Sequence, residues 1–176
     1  MRLEWKYVDE SFLDWLRNNY EKRIPFSDYG DERFKPFFGT LFEVEDLIYV
    51  TQITSPKPRH QNMKRALDFY KVYHPDNNGL IAVVNLNFMF PVHKDLVESV
   101  IYKNIEKYRS FIDEEEKGKY IDFLRLELKE VNKLKLIDAS QKIYKLKYEK
   151  PNDKVSLRCF DFKNLEIGCK KYISIL

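Results

Sequence analysis

The stretch Leu47–Lys64, LIYVTQITSPKPRHQNMK, decides how the chain is read. It opens as a strand: Ile48, Val50 and Gln52 point one way, and Tyr49, Thr51 and Ile53 the other. It stops at Thr54-Ser55-Pro56-Lys57-Pro58, because neither proline can donate to a β-ladder and the backbone must leave the sheet. Two hydroxyls and a lysine therefore stand at the mouth of a strand, with Arg59 and His60 behind them.

Upstream, Phe37–Val44 (FFGTLFEV) reads as a partner strand joined through Glu45-Asp46. That pair is not the favoured chemistry for a two-residue hairpin. Before it, Phe26–Pro36 is a polar loop. Leu3, Trp5 and Tyr7 alternate with polar residues and predict an opening strand. Asp9 can cap a helix whose Phe12, Leu16 and Tyr20 share one face.

Downstream, Leu67–Tyr73 reads as a strand and Pro75–Gly79 as a turn. Leu80–Leu86 is mostly apolar without alternation, as expected of a strand buried on both faces. From Leu96 to Ile112 the spacing predicts a helix. The acidic run Asp113–Glu116 marks a helix boundary, and Tyr120–Leu134 and Ile137–Leu146 predict two further helices. Val155–Phe162 (VSLRCFDF) reads as a closing strand. The sum is an α+β fold, strands first and helices mostly in the second half, with the late strand returning to complete a small twisted barrel.

The 176 residues predict a single domain, 1–176, with enough chain for a core. At 44% hydrophobic and 15% aromatic the composition is not that of a disordered chain. A net charge of +3 is too small to select nucleic acid by itself; charge clustering must do so. Cys159 and Cys169 are too few for a disulfide framework or a zinc site. The N-terminus lacks an apolar signal region and no run reaches membrane-spanning length, so a soluble cytoplasmic protein without membrane association is expected.

Four strings carry a resemblance: GTLFEV (Gly39–Val44), ITSPKPRH (Ile53–His60), VNLNFMFP (Val84–Pro91) and CFDFKNLE (Cys159–Glu166). In this order and spacing the chain resembles the ToxN/AbiQ family, the toxins of type III toxin–antitoxin and phage abortive-infection systems. The resemblance implies a strongly twisted antiparallel β-barrel, similar to the Kid/MazF toxins, decorated with helices. It implies a metal-independent endoribonuclease without cofactors that cuts single-stranded RNA at adenine-rich sites. It also implies a small repeated pseudoknot RNA as antitoxin and a cyclic protein–RNA heteromer. The family's active-site lysine falls on Lys35, and its Thr-Ser-Pro-Lys on Thr54, Ser55, Pro56 and Lys57. For the family's tyrosine the equal spacing lands on Asp31; Tyr29, two residues earlier, is the tyrosine at hand.

RNA cleavage without a metal needs the 2′-hydroxyl steered in line, charge stabilised on the phosphorane, and a proton delivered to the 5′-oxygen. The products are a 2′,3′-cyclic phosphate and a 5′-hydroxyl. Lys35 suits the phosphate charge, Lys57 the 2′-hydroxyl or leaving group, and Thr54 and Ser55 either donate to the non-bridging oxygens or orient the 2′-hydroxyl. For RNA binding, Lys57–Lys71 holds five cations (Lys57, Arg59, Lys64, Arg65, Lys71) against Asp68 alone. Tyr70 interleaves them with Phe69 and Tyr73, although alternating aromatics in a strand are more often core. His60, the histidine nearest the TSPK loop, is placed to contact RNA or shuttle a proton. The basic stretch Lys142–Lys154 reads as the wet face of a helix, with a seat for antitoxin phosphates as the alternative. A non-catalytic RNA-binding module is the alternative, and a protein-interaction domain with an all-core aromatic set is a third.

Overall fold

A computed structural model of the chain describes residues 1–28 and 33–176. Strand β4 (Leu47–Thr54) is its axis and is buried from Leu47 through Ile53. On one side lie β2 (Phe37–Gly39) and β3 (Glu43–Val44); on the other lie β6 (Leu80–Asn85) and β7 (Phe90–His93). Both flanks break near the middle of β4, so its first half pairs with β3 and β7 and its second half with β2 and β6. Gly39 sits at one break, where a Cβ would come within 3.0 Å of the Tyr49 carbonyl oxygen. The alternation read from β4 holds, but both faces are covered, so even Thr51 and Gln52 are buried.

With β1 (Glu4–Val8), β5 (Phe69–Tyr73) and β8 (Val97–Ser99), the sheet has eight strands among the described residues, all paired antiparallel, in the path β5-β6-β4-β2-β1-β8. This hydrogen-bonded path is open, with β5 and β8 at its ends. The hairpin through Glu45-Asp46 forms despite its chemistry. Glu45 adopts φ 54° and is tied by an ion pair to Lys170, and the Asp46 carbonyl accepts from the Lys94 N–H. Tertiary contacts thus hold a turn that its own residues do not favour.

Asp9 caps α1 (Glu10–Asn19) by accepting from the Phe12 N–H. Asp113 caps α2 (Glu114–Val131), the boundary expected from the acidic run. The helix expected over Ile137–Leu146 is α3 (Leu136–Glu149). Two expectations are overturned. Leu96–Ile112 is not a helix: β8 pairs with β1, and Tyr102–Lys107 forms a 3-10 turn. Of the supposed apolar face only Ile105 is fully buried, while Ile101 and Ile112 are exposed. The free edge of β1 offers ladder partners to this segment, and its weak apolar pattern cannot outweigh them.

Val155–Phe162 is not a strand either. It forms α4 (Lys154–Arg158) and the start of α5 (Phe162–Ile175), each begun by an aspartate, Asp153 and Asp161, accepting from backbone N–H groups. Leu157, an apparent inward residue, is exposed. No strand returns here, and β8 takes the sheet edge instead. The CFDFKNLE string serves packing: Glu166 accepts from the hydroxyls of Tyr49 and Tyr144 at 2.7 and 2.8 Å, joining α5 to β4 and α3. Both cysteines are buried free thiols. None of the described helices is long and apolar enough to cross a membrane.

Candidate active site

The loop before β2 is fixed from several sides. Arg17 of α1 donates to the carbonyls of Ile24 and Pro25, and its guanidinium lies 3.7 Å from the centre of the Phe26 ring. Buried Ser27 bonds to Glu10. Gln52, buried on β4, donates to the carbonyls of Phe26 and Lys35 at 2.8 and 3.0 Å. The Lys35 N–H donates to the Ser27 carbonyl at 2.8 Å. Lys35 is therefore held through its own backbone, and its side chain is delivered by a seat anchored in the core.

That side chain enters a cleft of about 310 Å³. The described residues lining it come from four places: Arg33, Phe34, Lys35 and Pro36 from the loop, Ile53 and Ser55 from the end of β4, Trp5 from β1, and Arg109 with Tyr120, Phe123, Leu124 and Glu127 from the approach to α2 and from α2 itself. Lys35 and Ser55, brought from two chain segments, share this cleft. Thr54, half-buried, does not line it, in keeping with the alternation that puts Ile53 and Ser55 on one side and Thr54 on the other.

Beyond Ser55 the chain makes a rigid corner. The Lys57 N–H donates to Nδ1 of His60 at 2.9 Å, and the His60 N–H donates back to the Lys57 carbonyl at 2.9 Å. Pro58 opens the 3-10 turn Pro58–Gln61. Lys57 and Arg59 are exposed on this corner, outside the cleft lining. His60 is only 3% exposed and packs its ring against Phe69. Burial, with Arg59, Lys57 and Lys71 nearby, holds its pKa below the ordinary value. The expectation that His60 meets RNA is thus corrected: it is a neutral pin under the loop, its Nδ1 already occupied.

Tyr70 is corrected in the same way. It is 4% exposed, with the Arg65 guanidinium 4.8 Å from its ring centre, so neither face is free for a base. Among the three aromatics of β5 it is Tyr73 that is exposed. Lys64 and Arg65 stand exposed on the same surface. Asp68, the one acid in this basic stretch, is buried and held bidentately by Arg158, at 2.9 and 2.7 Å, so the surface cations go unopposed from within it. Tyr29, the tyrosine carried over by resemblance, lies outside the described residues.

Two cleft groups were not singled out in the sequence. Arg109 lies over the rings of Phe111 and Tyr120 and donates to Glu116 at 3.2 Å, which fixes its plane. Glu127 is 8% exposed, and desolvation raises its pKa to about 7 despite the opposing charge of Lys35. Its signal was present: Tyr120, Phe123, Leu124 and Glu127 follow the i, i+3, i+4, i+7 pattern, so a carboxylate sits on the inward stripe of an amphipathic helix.

The model of the toxin ToxN family of type III toxin–antitoxin systems matches residues 5–170. The chain belongs to this family. Within it, the chain is 28% identical over 90 residues to the endoribonuclease ToxN of Pectobacterium atrosepticum, a match covering 48% of this chain and 51% of that protein. The chain thus spans about half the length of that relative. Its fold is similar to that of a bacterial type III toxin selectively inhibited by a non-coding RNA pseudoknot (TM-score 0.76, 15% identity, covering 98% of this chain and 99% of the other). It is also similar to AbiQ, a lactococcal anti-phage endoribonuclease of a type III system (TM-score 0.74, 16% identity, 99% of each chain). A third likeness is to a component of a bacterial antiviral system regulated by a processed non-coding RNA (TM-score 0.67, 21% identity, 97% of this chain and 98% of the other). The ToxN fold is therefore shared along essentially the whole chain.

Proposed function

We propose that the chain is the endoribonuclease toxin of a type III toxin–antitoxin system, cutting single-stranded RNA without a metal. The observation that carries this reading is the meeting of Lys35 and Ser55, from two separate segments, in one cleft with Arg33 and Arg109. Lysine, arginine and serine are oxyanion donors and poor ligands for a divalent cation. A phosphodiester seated there would have its non-bridging oxygens facing Lys35, the arginines and the Ser55 hydroxyl. The 2′-oxygen attacks phosphorus, the bond to the 5′-oxygen breaks, and the proton lost from the 2′-hydroxyl is balanced by one gained at the 5′-oxygen. Lys57, on the adjoining corner, is assigned to the 2′-hydroxyl or the leaving group, Thr54 to orienting the strand beside it, and Tyr29 to the phosphate.

The family resemblance extends the reading to adenine-rich sites, to a repeated pseudoknot RNA antitoxin, and to a cyclic protein–RNA heteromer acting in the cytoplasm. A barrel-like curl belongs to the same reading; its support is β4, shared between both halves of the sheet. The exposed corner and patch of Lys57, Arg59, Lys64 and Arg65 would hold backbone phosphates of either RNA.

The test is cleavage of a single-stranded RNA in EDTA, with the ends analysed for 2′,3′-cyclic phosphate, by the native chain and by Lys57→Ala. The expected result is cyclic-phosphate ends from the native chain and none from the variant. A second reading, an RNA-binding module without catalysis, is favoured by the basic patch lying outside the cleft. Salt-dependent binding with no cyclic-phosphate product would establish it instead.

A further inference from the structure

Glu127 is hard to account for by charge alone. It is a residue only 8% exposed whose carboxyl lines a cleft otherwise furnished for a polyanion. Among the described residues no hydrogen-bond donor reaches it; Lys35 acts on it only through its charge. A carboxyl largely desolvated by its neighbours, bonded to none of the described residues and opening on the cleft, has its donor and acceptor positions left for a ligand. Its surroundings say what kind. Trp5, Phe34, Pro36, Tyr120, Phe123 and Leu124 give an aromatic and apolar wall, while the cations and Ser55 complete the lining. A flat apolar body with one polar edge, joined to a phosphate, is a nucleotide.

We propose that Phe123 and Glu127 form a nucleobase subsite beside the phosphate site, selecting a base whose amine adjoins an unprotonated ring nitrogen, adenine or cytosine. Phe123 is 43% exposed on α2, one turn before Glu127, and offers a ring face at the cleft for stacking. Glu127 then meets the base edge. A protonated carboxyl accepts from the exocyclic amine with one oxygen and donates to the ring nitrogen with the other. Uracil has no amine, and the Watson–Crick edge of guanine presents two adjacent donors that leave the carboxyl proton opposed. Burial favours the protonated form. This subsite rests on reading the cleft as an RNA site, and it makes Glu127 a specificity-determining residue rather than a proton-transfer group.

The experiment is fluorescence-anisotropy binding of four 2′-deoxy-substituted, non-cleavable tetranucleotides that differ only in carrying A, C, G or U at one position. The native chain should bind the A and C probes about tenfold more tightly than the U and G probes. Glu127→Leu should bring all four within about twofold, while Glu127→Gln, whose amide also accepts and donates side by side, should keep the ranking. Phe123→Ala, at a half-exposed position that tolerates truncation, should weaken all four by about tenfold. A native chain that does not rank the probes, a Leu variant that keeps the ranking, a Gln variant that loses it, or a Phe123→Ala chain that binds as well as the native one would each overturn the proposal. Because binding is read on non-cleavable probes, a chain that ranks them but yields no cyclic-phosphate ends would sink the nuclease reading and leave the subsite standing. A chain that cuts RNA but does not rank the probes would do the reverse.

Discussion

The two walls of the cleft were built by different rules. The wall of Lys35 and Ser55 lies at a loop and a strand exit, where backbone geometry forces polar groups outward. The wall of Tyr120, Phe123, Leu124 and Glu127 lies on one stripe of a helix, where geometry normally forces apolar groups inward. The first is polar and held by hydrogen bonds of its own backbone. The second is apolar except for one carboxyl with no donor among the described residues. Chemistry placed on a loop can be recognised by residue type. Chemistry placed on a helix stripe is seen only when one residue breaks the pattern of its neighbours.

The sharpest way to break this comparison is Lys35→Ala. The bonds that seat the residue on Ser27 and Gln52 use its N–H and carbonyl, both of which alanine retains. Stability should change little, while cleavage falls about 10³-fold, the range for removing a pre-positioned oxyanion donor. A single-turnover rate near that of the native chain would show that this wall is scaffold and not site.

Glu127→Gln tests the opposite wall. Folding raises this carboxyl's pKa from 4.5 to about 7, so between those values the folded chain binds more protons than the unfolded one. Stability contributed by the group therefore falls as pH rises through this window, and the deficit is complete above it. Lys35, Arg33 and Arg109, the cations lining the same cleft, limit the deficit without removing it. The variant should gain on the order of 2–3 kcal/mol over the native chain at pH 8.5 and almost nothing at pH 4. Urea unfolding at the two pH values measures it; equal differences at both would mean that the carboxyl is hydrated.

What was legible follows the same division. β4, the TSPKP exit, the caps at Asp9 and Asp113, and the turn at Pro75–Gly79 were read correctly because each is set by local backbone chemistry. Leu96–Ile112 was misread because a free strand edge, a tertiary fact, outweighed helical spacing. Val155–Phe162 was misread because VSLRCFDF alternates, yet Asp153 and Asp161 start helices on both sides of Cys159. Tyr70 and His60 were misassigned for a related reason. Residue type announces what a side chain can do, but only packing decides whether it faces water. Arg109 went unnoticed because its partners, Phe111, Tyr120 and Glu116, lie in a stretch whose fold was misread or taken as plain helix.

Gln52→Ala asks whether the loop wall depends on its buried clamp. The substitution leaves the carbonyls of Phe26 and Lys35 without their amide donor. The expected cost is about 1–3 kcal/mol, read by urea unfolding. Cleavage should fall about tenfold under conditions where the variant is fully folded, since Lys35 would then sample positions away from the phosphate. Stability lost with activity untouched would show that Lys35 keeps its place without the Gln52 amide.

The smallest effect belongs to the patch outside both walls. Lys64 and Arg65 are exposed, and they stand near exposed Tyr73 rather than in the cleft. Cations of this kind act by releasing counterions from a polyanion, so each contributes a slope and not a geometry. Lys64→Ala should reduce the slope of log affinity against log salt by about 0.7 for a single strand and leave the cleavage rate at saturation unchanged. Arg65 differs in that its guanidinium covers Tyr70. Arg65→Ala should therefore reduce the slope by a similar amount and also cost a few tenths to about 1 kcal/mol of stability through the lost cation–π contact. If either variant changed the saturating cleavage rate, RNA held at this surface would be steering the bond that breaks, and the two-walled cleft would have a third side.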